Sequence, residues 1–241
     1  MTAPMKRFYK TAEAAPAAVV DKVEAAEGHP VLLDGKPIRT PSRAHLVVPS
    51  AALADAIAAE WAAQSEKIDP STMPMMTLAA TALDRVVPQV EAVAGDAAAY
   101  AGSDLLCYRT DDWPELAAAQ AEGWQPLLDW AAETYGARLH VTEGVMPVAQ
   151  DNAALMLFAR ALGGLDPFRL TAVHVMTTAL GSLVLALAVL EGRLGPTEAF
   201  RLSILDERFQ AERWGEDAEA AQGRERLARE IEEAHAYLAL L

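Results

Sequence analysis

The sequence predicts an α+β protein, in which a small N-terminal antiparallel β domain (residues 1–50) packs with a larger, all-helical domain (residues 51–241). Three observations lead to this prediction. Short β-rich runs broken by turn residues fill the first part of the chain, helical periodicity starts at Ser50 and continues to residue 241, and no low-complexity linker separates the two regions.

The strand prediction depends on an Asp-Gly pair at positions 34–35, between two short apolar runs. Gly supplies the positive φ that two-residue hairpin turns require. We therefore expect residues 30–33 and 36–39 to pair as a hairpin. Residues 8–10 and 19–25 are predicted as further strands of the same small sheet.

The helix prediction starts at Ser50, a good N-cap, which precedes an apolar stripe that ends near residues 69–70. Proline favours the first position of a helix and predicts the start of most later ones. These are Pro74, Pro88, Pro114, Pro126, Pro167 and Pro196. We expect the helix after Pro167 to be the most buried, residues 196–214 to form one helix, and residues 217–241 to form an amphipathic end helix.

The charge balance limits the possible partners. Asp and Glu number 34 against 20 Lys and Arg, so the net charge is −14. Such acidity excludes a nucleic-acid function, because that binding depends on cations that neutralise phosphates. The single cysteine, Cys107, excludes a disulfide framework, and residues 1–7 are not followed by the apolar segment of a signal peptide. We expect a cytoplasmic protein.

Residues 170–190 raise the alternative of a membrane-associated protein, since this stretch is the most apolar of the chain. Its longest unbroken apolar run is only residues 183–190, whereas a span needs roughly 20 mainly apolar residues. We expect a buried core helix and no membrane insertion.

The sequence carries none of the usual catalytic or nucleotide-binding motifs, and its five histidines are far apart. It therefore predicts no catalytic residue, no cofactor and no metal ion. His174, on the apolar helix, and Cys107 are interpreted as core residues.

The densest polar cluster lies at residues 205–217. On a helix, Asp206, Gln210 and Trp214 share one stripe, and Gly215 turns the chain after them. An anchoring aromatic beside acidic groups is typical of a binding surface. A solvated acidic helix end, with Trp214 tucked against a neighbour, explains the pattern equally well. The candidate partner-binding residues are Asp206, Glu207, Gln210, Trp214, Glu216 and Asp217.

Several strings, in order along the chain, together resemble the ATP12 family of assembly chaperones for the α subunit of the F₁ sector of ATP synthase. They are residues 31–41 (VLLDGKPIRTP), Glu60-Trp61-x-x-Gln64, Met73-Pro74, residues 103–109 (SDLLCYR), Gln120-x-x-x-Trp124-x-Pro126-x-x-x-Trp130, Gly181-Ser182 and residues 206–217.

The resemblance implies a chaperone without ATPase activity. Such a protein binds the newly made α subunit on its β-facing surface until the β subunit displaces it. Eukaryotic members act in the mitochondrial matrix, and this chain looks like a bacterial relative. The alternative from a different class is a small-molecule enzyme with an unrecognised helical active site that uses Asp206, Glu207 or His174.

Overall fold

The small sheet forms around the Asp-Gly turn in the computed structural model, which describes residues 5–16, 28–144 and 146–241. Asp34 (φ 49°) and Gly35 (φ 75°) both adopt the left-handed conformation, so two residues join β2 (His29–Leu33) to β3 (Lys36–Pro37). β1 (Ala12–Ala14) and β4 (Val47–Val48) also pair antiparallel with β2. The predicted hairpin and the α+β fold class are confirmed.

The strand predicted at residues 8–10 is wrong, because the first strand lies at β1. Asp34 explains the shift: its Oδ1 accepts the backbone N–H groups of Lys10 (2.9 Å) and Thr11 (2.8 Å), so these donors serve the turn and not a ladder. The strand predicted at residues 19–25 lies outside the described residues.

The rest of the described chain is mainly helical, and one short parallel pair joins β5 (Tyr108–Arg109) to β6 (Thr142–Glu143). The α-helices are α1 (Ala51–Ala62), α2 (Pro74–Thr81), α3 (Val90–Ala99), α4 (Pro114–Tyr135), α5 (Asn152–Gly163), α6 (Pro167–Leu180), α7 (Leu183–Leu190), α8 (Pro196–Ser203), α9 (Leu205–Trp214) and α10 (Ala218–Leu238). Within the described ranges, no helix is both long enough and apolar enough to cross a membrane.

Two capping contacts stabilise the start of the helical region, and the second joins two strings of the family resemblance, Glu60-Trp61-x-x-Gln64 and Met73-Pro74. Ser50 caps α1 as predicted, with its Oγ accepting the Leu53 N–H at 3.0 Å. The Glu60 carboxylate accepts the N–H groups of Met75 (2.7 Å) and Met76 (2.8 Å) and so caps α2. Unpaired N–H groups at helix starts need such acceptors.

The predicted helix start at Pro126 is wrong, because α4 continues through this proline. A proline within a helix leaves the carbonyl four residues earlier without its donor. Here Pro126 and Glu122 are both exposed, so water can satisfy that carbonyl. Buried side chains on both sides of Pro126, such as Trp124 and Leu127, lie on the face that packs into the core.

The most apolar segment is two helices, α6 and α7, and not one. Gly181 (φ 63°) takes the left-handed conformation, and its carbonyl accepts the Leu105 N–H at 3.1 Å. Ser182 then caps α7, with its Oγ accepting the Leu185 N–H at 3.0 Å. A turn that only Gly adopts easily therefore divides a run that hydropathy alone joins.

The carboxylate of Asp104, which is fully buried, accepts hydrogen bonds from the start of α7. Its Oδ1 accepts from Ser182 Oγ (2.7 Å) and from the Leu106 N–H (3.1 Å), while Oδ2 accepts the Val184 N–H (3.1 Å). Burial raises the pKa of this carboxyl to about 6, against the opposing effect of its hydrogen bonds. Two further strings of the resemblance, residues 103–109 and 181–182, thus meet at one buried carboxylate.

The chain folds into two compact units. The first contains the described residues up to Gln89 with Pro167–Thr171 and Ala236–Leu241, and the second contains Val90–Asp166 and Ala172–His235. α6 and α10 therefore each contribute residues to both units. The proposed domain boundary between residues 50 and 51 stays a prediction.

Candidate functional site

The single helix predicted over residues 196–214 is wrong: α8 and α9 are separated at Ile204, whose backbone (φ −106°, ψ 22°) is not helical. The indole N–H of Trp124 donates to the Leu202 carbonyl oxygen at 3.0 Å. A continuous helix would offer that oxygen to the amide of residue 206. The break lets α9 run in its own direction, and α9 carries most of the predicted binding residues.

Asp206 fastens the start of α9 to α4. Its Oδ1 accepts from Nε2 of the fully buried Gln120 at 2.7 Å, and Gln120 Oε1 accepts the Thr110 N–H at 2.8 Å. Arg109, also buried, donates to the Gln120 carbonyl oxygen, and its guanidinium lies 5.1 Å from the Trp124 ring centroid. Burial lowers the pKa of Arg109, and the negative charge of Asp206 opposes that shift.

A cluster of three rings and one cation, which we call the aromatic platform, is formed by Phe209, Arg213 and Trp214 of α9 together with Trp113, the residue before α4. The Arg213 guanidinium lies 4.6 Å from the Trp113 ring centroid and 4.5 Å from that of Phe209. Trp113 meets Phe209 at 5.9 Å and Trp214 at 6.0 Å, both edge to face. An ion pair of Arg213 with Glu115 completes the arrangement.

The platform is held in place but remains accessible to a partner. Trp214 is 66% exposed and Trp113 is 37% exposed. Edge-to-face rings and a cation over a ring each contribute about 0.5–1.5 kcal/mol. The sequence pattern left open whether Trp214 is tucked away; in the structure it contacts a neighbouring ring and still presents most of its surface to solvent.

The acidic residues that follow α9 make contacts within their own unit. Glu216 pairs with Arg224 of α10, and Glu207 Oε2 lies 4.0 Å from the same guanidinium. Asp217 caps α10, with its Oδ2 accepting the Ala220 N–H at 2.9 Å. Gly215, at φ 93° and ψ 159°, provides the turn between the two helices, as the sequence predicts.

A wide, open cavity of about 380 Å³ lies along this surface. Its lining is formed by Ile204, Arg208, Ala211, Glu212, Glu216 and Arg224. Asp206, Glu207 and His174, on which the alternative of an enzyme depended, do not line it.

The six predicted binding residues lie within one compact unit but in different surroundings. Asp206 is directed to Gln120, whereas Gln210 and Trp214 are exposed. Glu207, Glu216 and Asp217 are exposed acids with intramolecular contacts. No group of three or more acidic, histidine or cysteine side chains in the described part of the chain could hold a metal ion.

The sequence interpretation missed Trp113, Arg213 and Glu115. Trp113 follows two aspartates and precedes a proline that starts a helix. A large aromatic residue in such a polar loop is a local signal of an exposed contact residue. Its contact with Phe209 joins residues far apart in sequence, which no local pattern shows. Cys107 is a buried core residue, as predicted, and burial raises its pKa to about 12.

Comparison with known proteins gives consistent matches. The family model described as ATP12 chaperone protein matches residues 6–132. Atp12 from Paracoccus denitrificans is 43% identical over 98% of each chain, with a TM-score of 0.91. An aspartate-to-lysine mutant of P. denitrificans Atp12p is 42% identical, over 98% of this chain and 97% of its own, with a TM-score of 0.91. A candidate chaperone from Agrobacterium tumefaciens is 43% identical, over 98% of this chain and 85% of its own, with a TM-score of 0.88.

The three solved structures match nearly the whole chain and the family model matches residues 6–132, and together with the small sheet and larger helical region these matches define a chaperone. The chain belongs to the ATP12 chaperone family. The resemblance inferred from the ordered strings is confirmed.

Proposed function

We propose that this protein binds the unassembled α subunit of the F₁ sector of ATP synthase and shields its β-facing surface until the complex assembles. Family membership supports an assembly role. An unassembled subunit exposes an apolar interface that promotes aggregation, and a chaperone that covers it removes that risk. The proposed function needs no catalytic residue, cofactor or metal ion. We propose that the protein meets the α subunit in the bacterial cytoplasm.

The proposed binding residues are Asp206, Glu207, Gln210, Trp214, Glu216 and Asp217. The observation that carries their assignment is Trp214, a large aromatic that is 66% exposed next to acidic side chains. Tryptophan is strongly enriched among the residues that dominate binding energy. Acidic groups around it favour a partner surface of opposite charge and increase the association rate. A contact of this mixed character suits a temporary partner better than a fully apolar one.

The test is co-expression of the tagged chain with the α subunit of the same organism's ATP synthase. We expect a stable complex and a larger soluble fraction of the α subunit. If no complex forms and α-subunit solubility does not change, the proposal is wrong. The β subunit serves as a competitor, because its addition should release the α subunit.

The charges are tested with variants that keep the fold. Asp217→Asn removes the charge and keeps a side chain that can still cap α10. Glu216→Lys reverses the charge of a side chain that is 61% exposed. Glu91→Lys makes the same reversal on an exposed face of α3 and is the matched control. We expect weaker capture in the first two variants only. Equal capture by all three would mean that binding occurs elsewhere.

A further inference from the structure

The aromatic platform presents apolar ring surface to solvent. Trp113 and Trp214 are both accessible, and each keeps edge-to-face contact with the other at 6.0 Å. Contiguous accessible rings surrounded by polar groups are typical of a site that binds another protein.

Contacts among the platform's own side chains order it before any partner arrives. Phe209 and Trp113 hold the Arg213 guanidinium between them at 4.5 Å and 4.6 Å, and the ion pair with Glu115 fixes its other side. A partner therefore has little side-chain order to impose when it binds, and preorganisation of this kind increases affinity. Because the charge of Arg213 is already paired, the platform offers ring faces and edges to a partner and not a free cation.

The charges on the same helix and its continuation define the complementary chemistry. Each arginine in this region has a carboxylate partner: Arg208 lies 3.7 Å from Glu212, and Arg224 pairs with Glu216 and approaches Glu207. The carboxylates of residues 206–217 outnumber the arginines, with five acids against two. The open cavity of about 380 Å³ has apolar side chains at Ile204 and Ala211, and its two glutamates, Glu212 and Glu216, pair with the two arginines that also line it.

We propose that the aromatic platform is the anchor of this chaperone's client site, and that it takes a client segment with an apolar side chain next to lysine or arginine. The apolar side chain packs on Trp214 and Trp113, and the neighbouring cation lies along the acidic stretch of residues 206–217, where carboxylates exceed arginines. This inference rests on the proposed function, because it assumes that the α subunit is the client. It adds Trp113, Phe209 and Arg213 to the site and specifies what the client must present.

The experiment measures capture of the purified α subunit by four forms of the full chain. Trp214→Ala removes the accessible indole, and Trp214→Phe keeps an aromatic ring. Met156→Ala, at a side chain that is 72% exposed on α5, is the matched control for losing exposed apolar surface. Residues that dominate an interface typically weaken binding about 30-fold when truncated. We expect that loss for Trp214→Ala, a loss of under about fivefold for Trp214→Phe, and none for Met156→Ala.

Overlapping peptides that cover the α-subunit sequence test the chemistry of the client. We expect the wild-type chain to retain peptides that combine apolar and basic residues, and to retain them less as salt increases. Trp214→Ala should lose the same peptides. Preferential retention of acidic or uncharged peptides would overturn the proposal.

The outcomes separate the two proposals. No capture of the α subunit by the wild-type chain refutes the proposed function, and the client inference with it. Capture by the wild type that Trp214→Ala leaves unchanged refutes only the inference. Thermal unfolding of each variant shows whether the fold survives, and the exposure of Trp214 makes a large change in stability unexpected.

Discussion

Asp206 and Glu207 are adjacent acids, yet the structure predicts a much larger loss of stability on removal of Asp206 than on removal of Glu207. Asp206 accepts a 2.7 Å hydrogen bond from the fully buried Gln120, whereas Glu207 is exposed and only 4.0 Å from Arg224. Truncation of each to alanine removes one negative charge from the same helix. Any difference between the two variants therefore reports the surroundings of Asp206, which are its hydrogen bond with Gln120 and its proximity to the buried Arg109.

The expected magnitudes are well separated. A hydrogen bond to a charged group contributes about 1.5–3 kcal/mol, and a buried donor left without a partner costs about 1–3 kcal/mol. The two effects overlap, so Asp206→Ala should lower the free energy of unfolding by about 2–4 kcal/mol. An exposed ion pair contributes about 0–1 kcal/mol, which sets the expected loss for Glu207→Ala.

Urea unfolding of both variants, followed by circular dichroism, measures the two losses. Gln120→Ala and the double variant with Asp206→Ala complete a cycle in which we expect a coupling energy of about 1–3 kcal/mol. Equal destabilisation by the two single variants, or a coupling near zero, would refute the assignment of Asp206 as the residue that fastens α9. In that case its predicted role would be in binding alone.

Four further predictions concern buried or strained groups. Asp104→Ala should lower the free energy of unfolding by about 3 kcal/mol, because backbone donors at the start of α7 lose their acceptor; exposed Asp112→Ala is the control in urea unfolding. Burial raises the pKa of Asp104 to about 6, above its value in the unfolded chain, so protonation favours the folded state. The free energy of unfolding of the wild type, relative to that of Asp104→Asn, should therefore increase as the pH falls from 7 to 5. A difference that stays constant with pH would contradict this. The Cys107 thiol, with its pKa raised to about 12, should not react with a thiol reagent at pH 8 until the chain is unfolded in urea. Gly215→Ala should cost about 1–3 kcal/mol in thermal unfolding, because φ 93° with ψ 159° suits only glycine, and an unchanged melting temperature would show that the turn relaxes.

Local signals predicted the parts of the fold that local chemistry determines. The turn at residues 34–35 follows from the φ preference of glycine, and the cap at Ser50 follows from the geometry of a helix start. The strand predicted at residues 8–10 is wrong, and a tertiary contact from Asp34 accepts the backbone N–H groups at its end, those of Lys10 and Thr11. Periodicity contains no information about such a contact.

The break between α8 and α9 was not predictable from local pattern, because the contact that accompanies it comes from elsewhere in the chain, whereas the break between α6 and α7 has a local signal, Gly181, that hydropathy does not register. Trp124, in α4, takes the Leu202 carbonyl oxygen and separates α8 from α9. Asp104 similarly fixes the start of α7. For the candidate site, the sequence indicated Trp214 and its acidic neighbours, but Trp113 reaches Trp214 only after α4 and α9 have packed.

The first compact unit is discontinuous in sequence, and this affects how the protein is made. Residues 236–241 belong to it, and the Ser50 hydroxyl donates to the Leu240 carbonyl oxygen across 190 positions. Closing a free loop of that length costs roughly 4–5 kcal/mol of chain entropy. The sheet and α1 therefore emerge from the ribosome long before their last packing partner exists. During synthesis this chaperone itself passes through a stage in which its first unit is incomplete.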